Sequence, residues 1–170
     1  MTDKQFKAFF DAQKGQDHIK SVDWWTPPYI FEALDLEFDI DVASPVGGVS
    51  WIPAKRYFTK WQDGLQQEWK GRVWCNPPYG RNTAQWLQKF VDHDNGVALV
   101  FARTDTKWFH DIVVKADALV FMKGRVSFLN RGEKNSTAGA GSMLIACGYE
   151  SVEAIRKSNL GFFVDLLWSR

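Results

Sequence analysis

The sequence has almost no net charge: 21 Lys and Arg residues stand against 20 Asp and Glu, a formal balance of +1. A polyanionic partner is therefore not held by a global field, and any nucleic-acid contact must come from a local basic patch. Cysteine is scarce. Cys75 and Cys147 are the only two, there is no C-x-x-C, and no His/Cys cluster has metal-ligand spacing. That pattern excludes the usual zinc sites and predicts no bound metal, and the lone pair of cysteines fits a reducing compartment. No apolar run approaches the ~20 residues of a membrane span. The Met1-Thr2-Asp3-Lys4 start has no signal-peptide apolar region, so the expected location is the cytoplasm and the expected state soluble. Repeats and long low-complexity tracts are absent, and 170 residues suit a single domain.

What is present in quantity is aromatic. Nine Trp and thirteen Phe accompany a hydrophobic content of 45%, enough for a core and some stacking surface besides. One stretch concentrates chemistry: Val73-Trp74-Cys75 reads as a short apolar strand, and Asn76-Pro77-Pro78-Tyr79-Gly80 follows as a rigid polar turn. Two prolines fix φ and remove two donors, and the first of them holds Asn76 extended. The edge so formed presents a carboxamide, bare carbonyls and an aromatic ring. It suits gripping the amino group of a flat conjugated molecule. The plainer alternative is an ordinary turn, since Asn, Pro and Gly are common turn residues.

Asn76-Pro77-Pro78-Tyr79 resembles the catalytic tetrapeptide of S-adenosylmethionine-dependent amino-methyltransferases, which act on adenine N6, cytosine N4 or protein glutamine. The resemblance implies roles for all four residues. Asn76 Oδ1 and the Pro77 carbonyl accept the two amine hydrogens, Pro78 stiffens the turn, and Tyr79 stacks on the base. Acceptors preset where positive charge develops lower the barrier without reorganisation.

Further motifs extend the resemblance over roughly Trp24 to Ile145, closest to small Dam-type DNA adenine-N6 methyltransferases of bacteriophages and prophages. Trp25-Thr26-Pro27 matches a signature bordering the cofactor pocket. Thr26 is also a good N-cap and Pro27 a good first helical residue, for a helix to about Asp35 whose N-terminus favours the cofactor's carboxylate. Phe38 to Ser44 alternates like a strand; Asp41, Ala43 and Ser44 fall at its carboxyl end, where the family places its first cofactor motif. The usual G-x-G is missing there, with only Gly47-Gly48 farther on. Asp41 also reads as a capped strand end. Asp63-Gly64-Leu65 matches the position where an acidic residue and an apolar one hold the cofactor's adenine, although Asp-Gly is equally a turn. Lys55, Arg56 and Lys60 around Tyr57 and Phe58 read as a backbone-contacting patch or a solvated edge strand.

The remainder predicts a helix over residues 83–93, a buried strand over 97–102, a helix carrying Trp108, Phe109, Ile112 and Val113, and strands at 118–122, 143–147 and 162–167 with a short helix near 152–157. Arg103, in an Arg-Thr-Asp-Thr stretch at a strand end, and Lys123 and Arg125, around a Gly-Arg-x-x-Phe, are the expected DNA contacts. An N-terminal helix with Phe6, Phe9 and Phe10 braces the domain, and residues 130–142 form a flap.

Alternating strands and helices predict an α/β fold. The resemblance implies a Rossmann-like methyltransferase with a mostly parallel sheet and an antiparallel edge strand. It also implies one domain with an extension over residues 1–22 and no separate target-recognition domain. The expected activity is methyl transfer from S-adenosylmethionine to adenine N6 in double-stranded DNA. The flipped-out base attacks directly, in the service of protecting phage DNA from restriction. RNA adenine, protein glutamine, or an idle nucleic-acid-binding scaffold are the other readings.

Overall fold

The computed structural model describes residues 24–129 and 136–167. The expected N-terminal helix and residues 130–135 of the expected flap lie outside these. A seven-stranded sheet forms the centre. Its strands are β1 (Phe38–Asp41), β2 (Ala54–Tyr57), β3 (Val73–Cys75), β4 (Gly96–Phe101), β5 (Ala118–Met122), β8 (Ser142–Cys147) and β9 (Gly161–Asp165), in the spatial order β2-β1-β3-β4-β8-β5-β9. A separate hairpin pairs β6 (Ser127–Phe128) with β7 (Ser136–Thr137).

Helices cover both faces, because successive strand residues point to opposite sides. Trp74, Leu99, Val120 and Leu144 meet α1 (Pro28–Leu34) and α4 (Tyr149–Lys157) on one face. On the other, Val73, Ala98, Val100 and Ile145 meet α2 (Thr83–His93) and a 3-10 turn (Val113–Lys115) that follows the short α3 (Lys107–Asp111). Strands covered on both sides must be largely apolar, as β4 is and as β8 is after Ser142. None of the described helices is long and apolar enough to cross a membrane.

The sheet is more mixed than expected. Three of its six pairings are parallel and three antiparallel. β9 is the antiparallel edge strand, but β8 also runs backward and lies inside the sheet, between β4 and β5. The chain leaves β5 at the carboxyl rim and makes its hairpin there, so it re-enters the sheet from that rim and can only run backward. The buried Met143–Cys147 run needs a strand on each side, which the interior slot provides.

Helix α1 also begins later than expected. Pro27 occupies the N-cap and Pro28 the first turn, and no side chain caps the helix. Thr26 is thus one residue outside the helix. β1 ends at Asp41, so Val42-Ala43-Ser44 are loop.

β1, β3, β4 and β5 all point the same way, so the residues after each share one rim. The register of β3 on β4 depends on Gly96. It sits at φ +153°, opposite Val73, and a Cβ there would lie 2.2 Å from the Val73 carbonyl oxygen. Gly96→Ala is expected to cost about 2–3 kcal/mol through overpacking against backbone and a disfavoured φ. Urea unfolding checks this; a loss under about 0.5 kcal/mol would contradict it.

Candidate active site

β3 is only three residues long, yet it is firmly anchored. Trp74 is fully buried, with its ring edge-on to Phe31 at 4.7 Å and tilted against Phe38 at 5.5 Å. The strand therefore delivers Asn76 to the rim at a fixed height. Asn76 Nδ2 donates to the Trp24 carbonyl at 2.8 Å and to Thr26 Oγ1 at 3.3 Å. A carbonyl oxygen only accepts, so the nitrogen end of the carboxamide must face Trp24. The other end, Oδ1, is buried and has no hydrogen-bond partner among the described residues. A buried, unmatched acceptor costs on the order of 1–3 kcal/mol.

The strap that holds Asn76 is itself held. Trp25 and Leu129 exchange two backbone hydrogen bonds, at 2.8 and 3.0 Å. Trp51 Nε1 donates to the Thr26 carbonyl at 2.9 Å.

Beside Asn76 opens a cleft of about 260 Å³. It gathers segments distant in sequence. Of the expected cofactor residues, Trp25, Ala43, Ser44, Asp63 and Leu65 line it, as do all of Asn76, Pro77, Pro78 and Tyr79. Thr26, Pro27 and Asp41 do not. Thr26 is buried against Asn76 instead, and Pro27 and Pro28 remove two backbone N–H groups from the start of α1. Asp41 is 3% exposed, and its Oδ1 accepts from the Ala43 N–H at 3.2 Å. Burial pushes its carboxyl up to about 7, against the opposing pull of the Ala43 N–H and the Ser44 hydroxyl. The missing G-x-G has a structural counterpart. Ala43 N–H goes to Asp41 and Ser44 N–H to the Phe58 carbonyl, so this turn spends its backbone donors internally.

The Asp63–Leu65 loop is pressed onto the loop after β1. A Cβ on Gly64 would lie 2.0 Å from the Val42 carbonyl oxygen, which explains the glycine. Lys89 on α2 clamps the loop: its Nζ donates to the carbonyls of Leu65 at 2.7 Å and Gln67 at 2.5 Å, and lies 5.0 Å from the Trp69 ring centre. Desolvation pulls its ammonium below the usual range.

Tyr79 has its hydroxyl buried without a partner among the described residues, and burial raises its pKa. Its ring lies flat on Phe101, with centres 3.9 Å apart and planes 11° apart. Arg103 and Lys123 are exposed just past β4 and β5, on the same rim as Asn76. Arg125 is also exposed, but its Nη1 donates to the Ala138 carbonyl at 2.9 Å and so braces the hairpin. In the basic patch, Lys55 pairs with Asp39 at 2.8 Å on edge strand β2. Lys60 lines the cleft and lies over the Trp61 ring.

Sequence reasoning missed Trp24, Gly64's close approach, Lys89 and Trp86. Trp86 reads as an ordinary core position on α2, and it is buried there while also walling the cleft. Only its helical spacing was visible, which cannot signal a cleft.

Asp41 generates a pH prediction. Its folded pKa lies above the unfolded value of ~3.9, so its contribution to stability is complete below pH ~4 and is lost as pH rises through about 7. Asp41→Asn should therefore gain on the wild type by about 2–3 kcal/mol between pH 5 and pH 8, measured by urea unfolding. An unchanged difference would mean that the buried carboxyl is already ionised at pH 5.

A family model described as DNA N-6-adenine-methyltransferase (Dam) matches residues 15–156. No curated protein and no solved structure matches the chain. The matched span contains every segment of the cleft, the Asn76–Tyr79 turn and strands β1 to β8, and the chain belongs to the DNA N-6-adenine-methyltransferase (Dam) family.

Proposed function

We propose that the chain transfers a methyl group from S-adenosylmethionine to the N6 amino group of adenine in DNA. The observation that carries this is Asn76 Oδ1, which is buried and has no hydrogen-bond partner among the described residues, on a residue that lines the cleft. We read the sheet as a Rossmann-like methyltransferase plan, with its ligands at the carboxyl ends of the parallel strands.

The cleft suits the methyl donor in parts. Asp63 and Leu65, with Trp86 packed beside Gly64, offer an acceptor and apolar walls to an adenine ring. Lys60 is the cation on the cleft wall for a carboxylate, a role that the spent N–H groups of Ala43 and Ser44 cannot fill. When bound, S-adenosylmethionine supplies an electrophilic methyl carbon.

The chain's own residues prepare the amine. An adenine amino group shares its lone pair with the ring and is a poor nucleophile. Asn76 Oδ1 accepts one of its hydrogens and the Pro77 carbonyl the other, which pyramidalises the nitrogen. Both acceptors are held in advance, one by Trp24 and Thr26 and the other by the prolines, so they stabilise the developing charge without moving. Tyr79 offers a flat face to the base, which must leave the duplex at a cost of a few kcal/mol. With the methyl donor bound, the amine held by Asn76 and Pro77 would form its N–C bond as the methyl carbon leaves sulfur, and the amine proton would depart to solvent. Arg103 and Lys123 hold the backbone beside the rim, with Arg125 set back against its hairpin.

Asn76→Ala is expected to lower transfer at least ~100-fold, as loss of a preset polar group at a reacting centre does. Cofactor binding should stay near wild type. Tritium transfer to DNA, with a nucleoside digest assayed for N6-methyladenine and calorimetry with S-adenosylmethionine, reads both. Loss of binding together with activity would make Asn76 a structural residue. Arg103→Ala and Lys123→Ala should each reduce the slope of log K against log salt by about 0.9. A slope equal to wild type in both variants would remove them from the DNA interface.

A further inference from the structure

We propose that Phe101 is a positioning residue for the transfer reaction: its ring backs Tyr79 and leaves one face of the phenol ring as the surface on which the target base stacks. This rests on the reading of Asn76–Tyr79 as the group that grips the amine. Phe101 belongs to no motif, and its place emerges only from the packing.

The two rings lie parallel with centres 3.9 Å apart. Tyr79 lines the cleft and Phe101 does not. An aromatic ring has two faces, so the face turned away from Phe101 is the one a base can use. Phe101 is in turn well fixed. It is the last residue of β4, paired with Ser142 of β8. The fully buried Phe128 meets it edge-on at 6.4 Å and 83°. Trp24 meets Phe128 in the same manner, at 5.6 Å and 67°. Trp24 also provides the carbonyl that orients the Asn76 carboxamide.

These contacts close a circuit: Asn76 to Trp24 by a hydrogen bond, Trp24 to Phe128 to Phe101 to Tyr79 by ring contacts, and Tyr79 back to Asn76 through two prolines. The acceptor and the stacking face are thereby set in one register. A phenol ring without its backing would rock about its side-chain torsions. The stacked base would then carry its amine away from Asn76 Oδ1 by more than a hydrogen bond tolerates.

Phe101→Leu keeps an apolar side chain but has no flat face, whereas Phe101→Tyr keeps the face. Both are assayed as the full chain, with S-adenosylmethionine and unmethylated genomic DNA. Phe101→Leu is expected to lower kcat/KM for DNA about tenfold, comparable to a lost ring–ring contact. Its dissociation constant for S-adenosylmethionine should stay within about twofold of wild type, and Phe101→Tyr should restore transfer. A residue needed only for folding would lower transfer and cofactor binding together. That outcome, or wild-type kcat/KM in Phe101→Leu, overturns the proposal. Asn76→Ala run alongside separates the two failures: if it is active, the reading of the tetrapeptide falls; if it is inactive while Phe101→Leu is unimpaired, only the role of Phe101 falls.

Discussion

The hydrogen bond from Asn76 Nδ2 to the Trp24 carbonyl fixes the polarity of the site. A carboxamide has a donating end and an accepting end, and a half-turn about its last torsion exchanges them. Trp24 offers only an acceptor, so the exchange would set two oxygens against each other and is blocked. The consequence is an oxygen held in a buried place with no hydrogen-bond donor among the described residues. In the unliganded protein that oxygen destabilises the fold. On the proposed function, the deficit is repaid by the exocyclic amine, which carries two such hydrogens. Everything around the strap serves to keep this arrangement: Leu129 pins Trp25, Trp51 pins Thr26, and Trp74 anchors the strand from which Asn76 emerges.

The sheet divides the labour along its rim. Loops after β1 and before β3 build the cleft, and those after β4 and β5 carry the exposed cations. The Asn76 turn, after β3, lies between the two. On the proposed function, such a division would let the methyl donor and the DNA approach one point from different sides. It would also reconcile a net charge of +1 with the DNA substrate that the family implies, since the proposed contacts are few and lie on the rim.

Much of this was legible in the sequence because it is local. The helix over residues 83–93 and the strand over 118–122 are found as the apolar spacing predicts, and the proline-stiffened turn follows the predicted strand. What was not legible depends on contacts between distant segments. The backward insertion of β8 follows from where the hairpin leaves the chain, which periodicity does not record. Thr26 looks like a cap by residue type, but Pro27 and Pro28 take the first positions of α1, and the hydroxyl is turned to Asn76. Lys89 looks like a surface residue of an amphipathic helix; its carbonyl partners lie more than twenty residues earlier. Asp41 was placed at the correct strand end, but only its burial shows that the carboxyl sits beneath the cleft loop rather than on its wall.

The most direct measurement is a crystal structure of the protein with a non-reactive analogue of S-adenosylmethionine and a DNA duplex. The account predicts the target amine within about 3 Å of Asn76 Oδ1, with Nδ2 still on the Trp24 carbonyl. An amine bound elsewhere, with Asn76 turned to offer its nitrogen or left without contact to the base, would contradict it.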